Sequence, residues 1–181
     1  MKILAFGGSN SKKSINKTLA GFTASQIQSE NTEVLDLNNY EVAIFSIDRE
    51  KESGIPSLII DFYEKLQESD LIVISLAEHN GSYSAAFKNI IDWTSRHRSD
   101  FFKDKKLFLL STSTGPRGGK SVLETAISRF PRHGAEIIES FSLPSFGQNF
   151  DEKTGILSGD LASEFKSKIQ NIKKLYGLET E

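Results

Sequence analysis

The residues best suited to chemistry lie within the first twenty positions, where glycines and short polar side chains follow an apolar run. Ile3 to Phe6 is apolar, Gly7 and Gly8 interrupt it, and small hydrogen-bonding residues follow, namely Ser9, Asn10, Ser11, Ser14 and Asn16. Glycines permit a sharp turn and let a ligand approach the backbone, and the N–H groups and dipole of a helix N-terminus attract anions. The stretch therefore indicates a phosphate-binding turn. The alternative is an ordinary strand-to-helix turn that Ser14 or Asn16 caps.

Two later loops have the same character. Residues 78–83 follow an apolar run at 71–76, and residues 111–119 follow another at 106–112. Both loops combine small residues with hydrogen-bonding side chains, whereas the connections at 68–69 and 103–105 are merely charged. In open parallel sheets, ligands bind beyond the carboxyl ends of the strands. We therefore expect the three polar loops to meet at one sheet edge and form the ligand site.

Apolar runs alternate with amphipathic stretches along the whole chain, as the positioning of these loops requires. The pattern predicts strands at residues 2–6, 32–37, 71–76, 106–112 and 136–143, and helices at residues 15–28, 56–67, 85–96, 121–132 and 161–176. Residues 38–55 have no clear pattern. Five strands that alternate with helices predict an α/β fold, a doubly wound parallel sheet with helices on both faces, in one domain spanning residues 1–181.

Composition excludes several classes of function. The 181 residues include 22 Lys and Arg against 24 Asp and Glu, a net charge of -2 without a basic stripe, so we expect no nucleic-acid partner. The chain has no cysteine, which excludes disulfides, thiol nucleophiles and thiolate metal sites. No histidine and carboxylate spacing suggests a metal site. No apolar run approaches the roughly 18 residues of a membrane span, and no signal peptide is evident, so we expect a cytoplasmic protein without a membrane partner.

Three motifs in order carry a resemblance to a known family. Residues 8–20 are similar to the pattern G-S-x-R-x-x-S-x-N-x-x-L-A. Residues 77–82 and 87–93 are similar to P-E-Y-N-x-S followed by L-K-N-A-I-D-W. Residues 111–119, which read S-T-S-T-G-P-R-G-G, are similar to a third motif of the same family. The chain thus resembles the NAD(P)H-dependent FMN reductase family, a flavodoxin-like group that includes quinone, azo and chromate reductases. The resemblance covers about residues 2–135.

The resemblance implies a fold, an activity and a set of binding residues. It implies the sheet order 2-1-3-4-5, bound FMN, NADPH or NADH as co-substrate, and an enzyme that passes hydride to FMN and then to a small-molecule acceptor such as a quinone, flavin or azo compound. It implies a homodimer or homotetramer. It also implies that no side chain is catalytic, because the hydride chemistry takes place on the flavin. The implied phosphate residues are Ser9, Ser11, Ser14, Ile15 and Asn16; those along the ribityl chain and ring are Glu78, His79, Asn80 and Gly81; those at the other ring edge are Ser111, Thr112, Thr114, Gly115 and Arg117.

Three positions depart from the family pattern. Ser11 stands where the family has arginine, Ala77 where it has proline, and His79 where it has tyrosine. The change at Ser11 removes a planar, bidentate phosphate ligand. Lys12 and Lys13 are the neighbouring cations that could supply charge instead.

Other polar and aromatic residues have structural explanations. Lys88 and Asp92 lie four residues apart on a predicted helix and predict a solvated ion pair. Phe87, Ile91 and Trp93 have helical spacing, which favours core or subunit interface over flavin contact.

Two alternatives to a reductase remain at this point. A flavodoxin-type electron carrier would have the same fold, although such carriers are expected to be strongly acidic, unlike this chain. A non-catalytic member of the fold that binds FMN or another ligand would also be compatible with the changes at Ser11 and His79.

Overall fold

A five-stranded parallel sheet forms the centre of the computed structural model, which describes residues 1–27, 30–157 and 159–178. Its strand order is β2-β1-β3-β6-β7, with all neighbours parallel. These strands are β1 (Lys2–Gly8), β2 (Asn31–Leu35), β3 (Leu71–Leu76), β6 (Lys105–Thr112) and β7 (Ala135–Leu143). Two short hairpins, β4 (Glu78–His79) with β5 (Ser82–Tyr83) and β8 (Phe150–Asp151) with β9 (Gly155–Ile156), lie outside the sheet. Without the hairpins the order is the expected 2-1-3-4-5, so the predicted flavodoxin-like topology is confirmed.

Helices cover both faces of this sheet. Their bounds are α1 (Ile15–Ile27), α2 (Ile47–Ser53), α3 (Ser57–Gln67), α4 (Ala85–His97), α5 (Lys120–Arg129), α6 (Phe146–Asn149) and α7 (Gly159–Leu175), with 3₁₀ turns at Leu37–Tyr40 and Phe130–His133. Side chains alternate across β1, so Ile3 and Ala5 pack with α1 and α7 in one core. Leu4 and Phe6 pack with α3, α4 and α5 in the other. All residues of β3 are buried, as expected for a strand covered on both faces.

The structure adds elements that the sequence pattern does not predict. Residues 38–55 contain most of the first 3₁₀ turn and all of α2, a helix with no buried residue. The β4–β5 hairpin lies in the predicted loop at residues 78–83. Helix α6 and the β8–β9 hairpin lie in a stretch for which the sequence pattern predicts no element. The helix expected at residues 121–132 begins at Lys120 and ends at Arg129, where the second 3₁₀ turn follows. The last residue of the helix expected at 15–28 lies outside the described residues.

Helix ends follow ordinary capping chemistry. Ser84 caps α4 by accepting a hydrogen bond from the Phe87 N–H, and its hydroxyl donates to the Gly8 carbonyl at 2.7 Å. This pair of bonds fixes the start of α4 against the end of β1. Gly177 follows α7 with φ of +63°, the left-handed conformation that a glycine C-cap adopts.

The aromatic stripe of α4 belongs to the core. Phe87, Ile91 and Trp93 are buried, and the Trp93 indole N–H donates to the Ala43 carbonyl at 2.8 Å. Lys88 and Asp92 form an exposed ion pair at 2.6 Å, which confirms the prediction of a solvated pair. Among the described residues, no helix is long and apolar enough to cross a membrane, and no group of three or more His, Asp or Glu is placed to hold a metal ion.

Candidate functional site

A polar cleft of about 330 Å³ lies at the carboxyl ends of β1, β3 and β6. The three polar loops singled out in the sequence all contribute to its wall. The lining residues are Ser9, Ser11, Lys13, Ser14, Ile15, Asn16, Ala77, Glu78, His79, Thr112, Ser113 and Thr114. The cleft therefore occupies the sheet edge where parallel α/β folds bind ligands.

The first loop brings the N-terminus of α1 directly onto the sheet. A Cβ on Gly7 would lie 2.8 Å from the carbonyl carbon of Asn16 and closer still to the Lys17 nitrogen, so only glycine permits this approach. Ser14 caps α1, its Oγ accepting from the Lys17 N–H at 3.1 Å. Within the described part of the chain, the N–H groups of Ile15 and Asn16 have no acceptor. Two backbone donors thus remain at the positive end of the helix dipole.

Two hydroxyls in this loop are available as donors. The Ser9 Oγ accepts from the Ser11 N–H at 3.1 Å, just as the Ser14 Oγ accepts from the Lys17 N–H. Neither hydroxyl donates its own hydrogen to any of the described residues. Both side chains are nevertheless buried in the loop and line the cleft. They combine with the α1 backbone donors into a set that matches an anion.

The Asn16 side chain links the first loop to two strands. Its Oδ1 accepts from the Ser75 hydroxyl at 2.7 Å and from the Thr112 N–H at 3.1 Å, and its Nδ2 donates to the Thr112 carbonyl at 3.2 Å. All of these bonds are buried. The amide therefore holds α1, the end of β3 and the end of β6 in register, while the backbone N–H of Asn16 stays available.

The second loop is the β4–β5 hairpin. Asn80 and Gly81 form its two-residue turn with φ of 52° and 76°, the combination that a type I′ turn requires. The Glu78 carboxylate accepts a hydrogen bond from the Val122 N–H at 3.0 Å. Gly119 precedes α5 without a side-chain cap of its own, so Glu78 caps this helix from the neighbouring loop. Its negative charge is thereby held at a helix N-terminus, where it is stabilised.

The third loop is fixed from behind by the segment that follows β7. The Ser111 and Ser142 hydroxyls both donate to the Gly118 carbonyl, at 2.8 and 3.1 Å, and the Thr112 hydroxyl donates to the Leu143 carbonyl at 2.7 Å. The Gly115 carbonyl accepts from the Ser145 N–H at 2.9 Å. Thr112, Ser113 and Thr114 are the part of this loop that lines the cleft.

Most of the sequence-predicted site residues meet at this cleft, and several lie beside it. Asn80 and Gly81 form the exposed hairpin turn, Ser111 and Gly115 are engaged within the third loop, and the exposed Arg117 donates to the Ser121 hydroxyl at 2.9 Å. Three lining residues were absent from the predicted set, namely Lys13, Ala77 and Ser113. Each lies next to a predicted site residue in the sequence, and this adjacency is the signal that could have identified it.

A buried tyrosine ends the hairpin as the last residue of β5. The Tyr83 ring stacks on Phe130 with centroids 6.0 Å apart, and its hydroxyl has no hydrogen-bond partner among the described residues. Burial raises the pKa of Tyr83 to about 12, so the hydroxyl stays protonated at neutral pH. Tyr83 thus supports the hairpin as an apolar ring.

Comparison with known proteins decides the family. The model of the NADPH-dependent FMN reductase family matches residues 1–148. The chain belongs to this family. The reductase is 30% identical over 147 residues to an uncharacterized protein of Mycoplasma pneumoniae, covering 78% of this chain and 86% of that one. It is 27% identical over 165 residues to the NADH-dependent flavin reductase subunit 2 of Lactobacillus johnsonii, covering 87% and 86%.

Solved structures agree on the fold. FerB, a flavoenzyme NAD(P)H:(acceptor) oxidoreductase from Paracoccus denitrificans, superposes with a TM-score of 0.71 at 18% identity, covering 96% of this chain and 97% of that one. Other relatives of the reductase are named as quinone and azo reductases. The family, the flavodoxin-like fold and the oxidoreductase class inferred from the sequence are therefore confirmed, with FMN as cofactor and NAD(P)H as co-substrate.

The donor set of the cleft fits the phosphate of FMN. The two free N–H groups at the start of α1, the two serine hydroxyls and the Lys13 side chain are all suited to a group that carries up to about two negative charges. The Glu78 carboxylate, the one acidic group among the described residues of the lining, is engaged with α5. The chemistry of the residues and that of the cofactor are thus compatible.

Proposed function

We propose that the cleft binds FMN with its phosphate on the first loop. Ser9 and Ser14 would donate through their hydroxyls, and Ile15 and Asn16 through their backbone N–H groups. The observation that carries this proposal is the pair of unpartnered N–H groups beside two hydroxyls that accept without donating. The exposed Ser11 borders the same position and would add a hydroxyl. The Asn16 side chain would act as a positioning group because its amide is already bonded to Ser75 and Thr112.

The other two loops would hold the rest of the cofactor. The hairpin residues Glu78, His79, Asn80 and Gly81 would follow the ribityl chain and ring, and of these Glu78 and His79 line the cleft. The third loop would enclose the other ring edge through Thr112 and Thr114. Ser111, Gly115 and Arg117 would shape that loop from outside the cleft. The bonds to Gly118 and Leu143 support this assignment because they fix the loop from behind and leave Thr114 at the cleft.

The protein's part in the chemistry is binding and orientation. When bound, FMN supplies the redox chemistry, accepting hydride from NAD(P)H and delivering electrons to an acceptor. The chain would fix the phosphate at α1 and present donors from residues 113–114 to the ring edge, with Thr112 as the residue that anchors this loop. It would hold the Glu78 charge away at α5. No titrating side chain is needed for this role, because the redox chemistry belongs to the cofactor.

We propose that the acceptor is a quinone, a flavin, an azo compound or a similar small molecule. The net charge of -2 argues against a flavodoxin-type carrier, for which strongly acidic docking surfaces are expected. Steady-state oxidation of NADPH and NADH should be measured with a quinone and with an azo dye as acceptors. Turnover that requires FMN supports the reductase. FMN binding without turnover would indicate a carrier or a non-catalytic member that binds FMN, and the absence of both would indicate a non-catalytic member that binds another ligand.

We also propose a single domain spanning residues 1–181, a cytoplasmic location, and a homodimer or homotetramer. Shared cores on both faces of one sheet support the single domain, and the absence of cysteine is compatible with a reducing compartment. Ile44 and Ile47 are 75% and 60% exposed beside α4, and a second copy would cover them. Sedimentation equilibrium tests the assembly, and a monomer at micromolar concentration would contradict it.

A further inference from the structure

Three lysines near the first loop differ in whether their charge is paired and whether they line the cleft. Lys12, Lys13 and Lys17 all lie between the end of β1 and the first turn of α1. The Lys17 ammonium is 2.5 Å from the Asp36 carboxylate, so its charge is already paired. Lys12 is exposed and does not border the cleft, whereas Lys13 does.

Among the described residues that line the cleft, Lys13 is the one lysine or arginine, and nothing in the described protein neutralises it. No hydrogen bond or ion pair engages its ammonium among the described residues. The acidic group of the same lining, Glu78, is bonded to the Val122 N–H. A dianionic phosphate at the start of α1 would thus meet one uncompensated positive charge.

We propose that Lys13 supplies the positive charge that holds the FMN phosphate and thereby makes the cleft prefer FMN over riboflavin, which lacks the phosphate. This inference rests on the function proposed above. The neutral donors of the loop, Ser9, Ser14 and the backbone N–H groups, can hydrogen-bond the phosphate but do not balance its negative charge. Lys13 is an exposed lysine on a flexible stem, so its effect should be sensitive to salt.

The test compares two lysines that differ in placement. Lys13→Ala and Lys12→Ala change the net charge equally and lie in the same loop, so only proximity to the cleft separates them. FMN and riboflavin are titrated into each variant and into the unmodified chain at low and high salt, and quenching of flavin fluorescence gives each Kd. The retained fold is checked by circular dichroism.

For Lys13→Ala, we expect the Kd for FMN to rise about tenfold, in line with loss of a charge-assisted bond at an exposed site. The Kd for riboflavin should not change. Lys12→Ala should retain the FMN preference of the unmodified chain, Lys13→Arg should retain most of it, and high salt should reduce the difference between the Lys13→Ala variant and the unmodified chain.

Two results would overturn the proposal while leaving FMN binding intact. One is an FMN-to-riboflavin preference that Lys13→Ala leaves unchanged, and the other is an equal loss in Lys12→Ala. If the unmodified chain binds no FMN, the proposed function itself fails and this inference fails with it. The unmodified chain thus separates the two failures.

Discussion

At the scale of single residues, Asn16 ties the first loop of the cleft to two strands. Its amide makes three buried hydrogen bonds to Ser75 and Thr112, groups that belong to strands far away in the sequence. Removal of a buried partner leaves polar groups unsatisfied at a cost of about 1–3 kcal/mol each. The Asn16 side chain therefore contributes to stability and, through loop geometry, to ligand affinity.

Asn16→Ala should lower the free energy of unfolding by roughly 2–4 kcal/mol, because the Ser75 hydroxyl and the Thr112 backbone groups lose their partner. Urea unfolding measures this change. Asn10→Ala is the matched control, since Asn10 is exposed in the same loop, and should change the value by less than about 0.5 kcal/mol. Equal effects of the two substitutions would show that the Asn16 bridge does not stabilise the loop.

Gly7 sets the distance between β1 and α1. Gly7→Ala should destabilise the protein by about 1–3 kcal/mol or more, because the new methyl group would overlap the α1 backbone rather than a movable side chain. Thermal unfolding measures the loss. Gly147→Ala provides the control, as a Cβ there meets nothing within 4 Å and its φ is not positive. A wild-type melting temperature for Gly7→Ala would contradict the close packing described for this turn.

At the scale of elements, the hairpin and α5 depend on each other. The Glu78 carboxylate is the side-chain cap of α5, in which the preceding Gly119 offers no side-chain oxygen. The second loop is thereby tied to the helix that follows the third loop, and two bonds between Asn16 and Thr112 tie the first loop to the third. The cleft is thus held by bonds between loops rather than by any one loop alone.

Glu78→Ala should cost about 1 kcal/mol of stability and expose the Val122 N–H to faster hydrogen exchange. Glu78→Gln keeps an acceptor oxygen and loses only the charge at the helix N-terminus, so it should cost less. Urea unfolding and amide exchange at Val122 provide the measurements. Unchanged protection of that N–H in the Glu78→Ala variant would rule out the capping role.

The ion pair between Lys17 and Asp36 joins α1 to the end of β2 and has a defined pH dependence. Hydrogen bonds from Lys17 and Asn38 lower the pKa of Asp36 from 3.8 to about 2. Because the folded-state pKa is depressed, the stabilisation is complete above about pH 4 and is lost as the pH falls toward 2. Solvent screening at this partly exposed site reduces it to about 1 kcal/mol.

Asp36→Asn should therefore be less stable than the unmodified chain by about 1 kcal/mol at pH 7, and the difference should narrow below pH 4. Urea unfolding of both proteins between pH 7 and pH 3 measures it. A difference that stays constant over this range would mean that the Asp36 charge contributes nothing.

At the scale of the whole molecule, the sequence predicts the sheet better than the elements outside it. Continuous apolar runs such as Leu71–Leu76 reveal buried strands, and the crossover rule then fixes a parallel sheet. The sequence pattern does not predict α2 because this helix buries no residue. Its signals are Ser46 as N-cap, Gly54 at its end, and charges that match the helix dipole, Asp48 in the first turn and Lys51 in the last. The sequence predicts a loop where the β4–β5 hairpin lies. Asn80-Gly81 is a turn signal, but each strand has two residues, which is too short for an alternating pattern to show.

The sequence predicts the location of the site better than it predicts the contacts within it. Glycines and hydroxyls after three strands located the cleft, because the topology brings the ends of parallel strands together. Partners distant in sequence were not predictable, since the Asn16 bond to Thr112 spans 96 positions and the Glu78 bond to Val122 spans 44. Side-chain direction also separates Lys13 from Lys12, which composition alone cannot do.

The central claim is that the three-loop cleft binds FMN, and titration of the purified chain with FMN tests it most directly. Flavin fluorescence reports binding, and absorbance after addition of NADPH or NADH without oxygen reports reduction. The account predicts quenching at micromolar FMN or below, with one flavin per chain, and bleaching of the bound flavin by at least one nicotinamide. A chain that shows neither flavin absorbance nor quenching after FMN addition would contradict it.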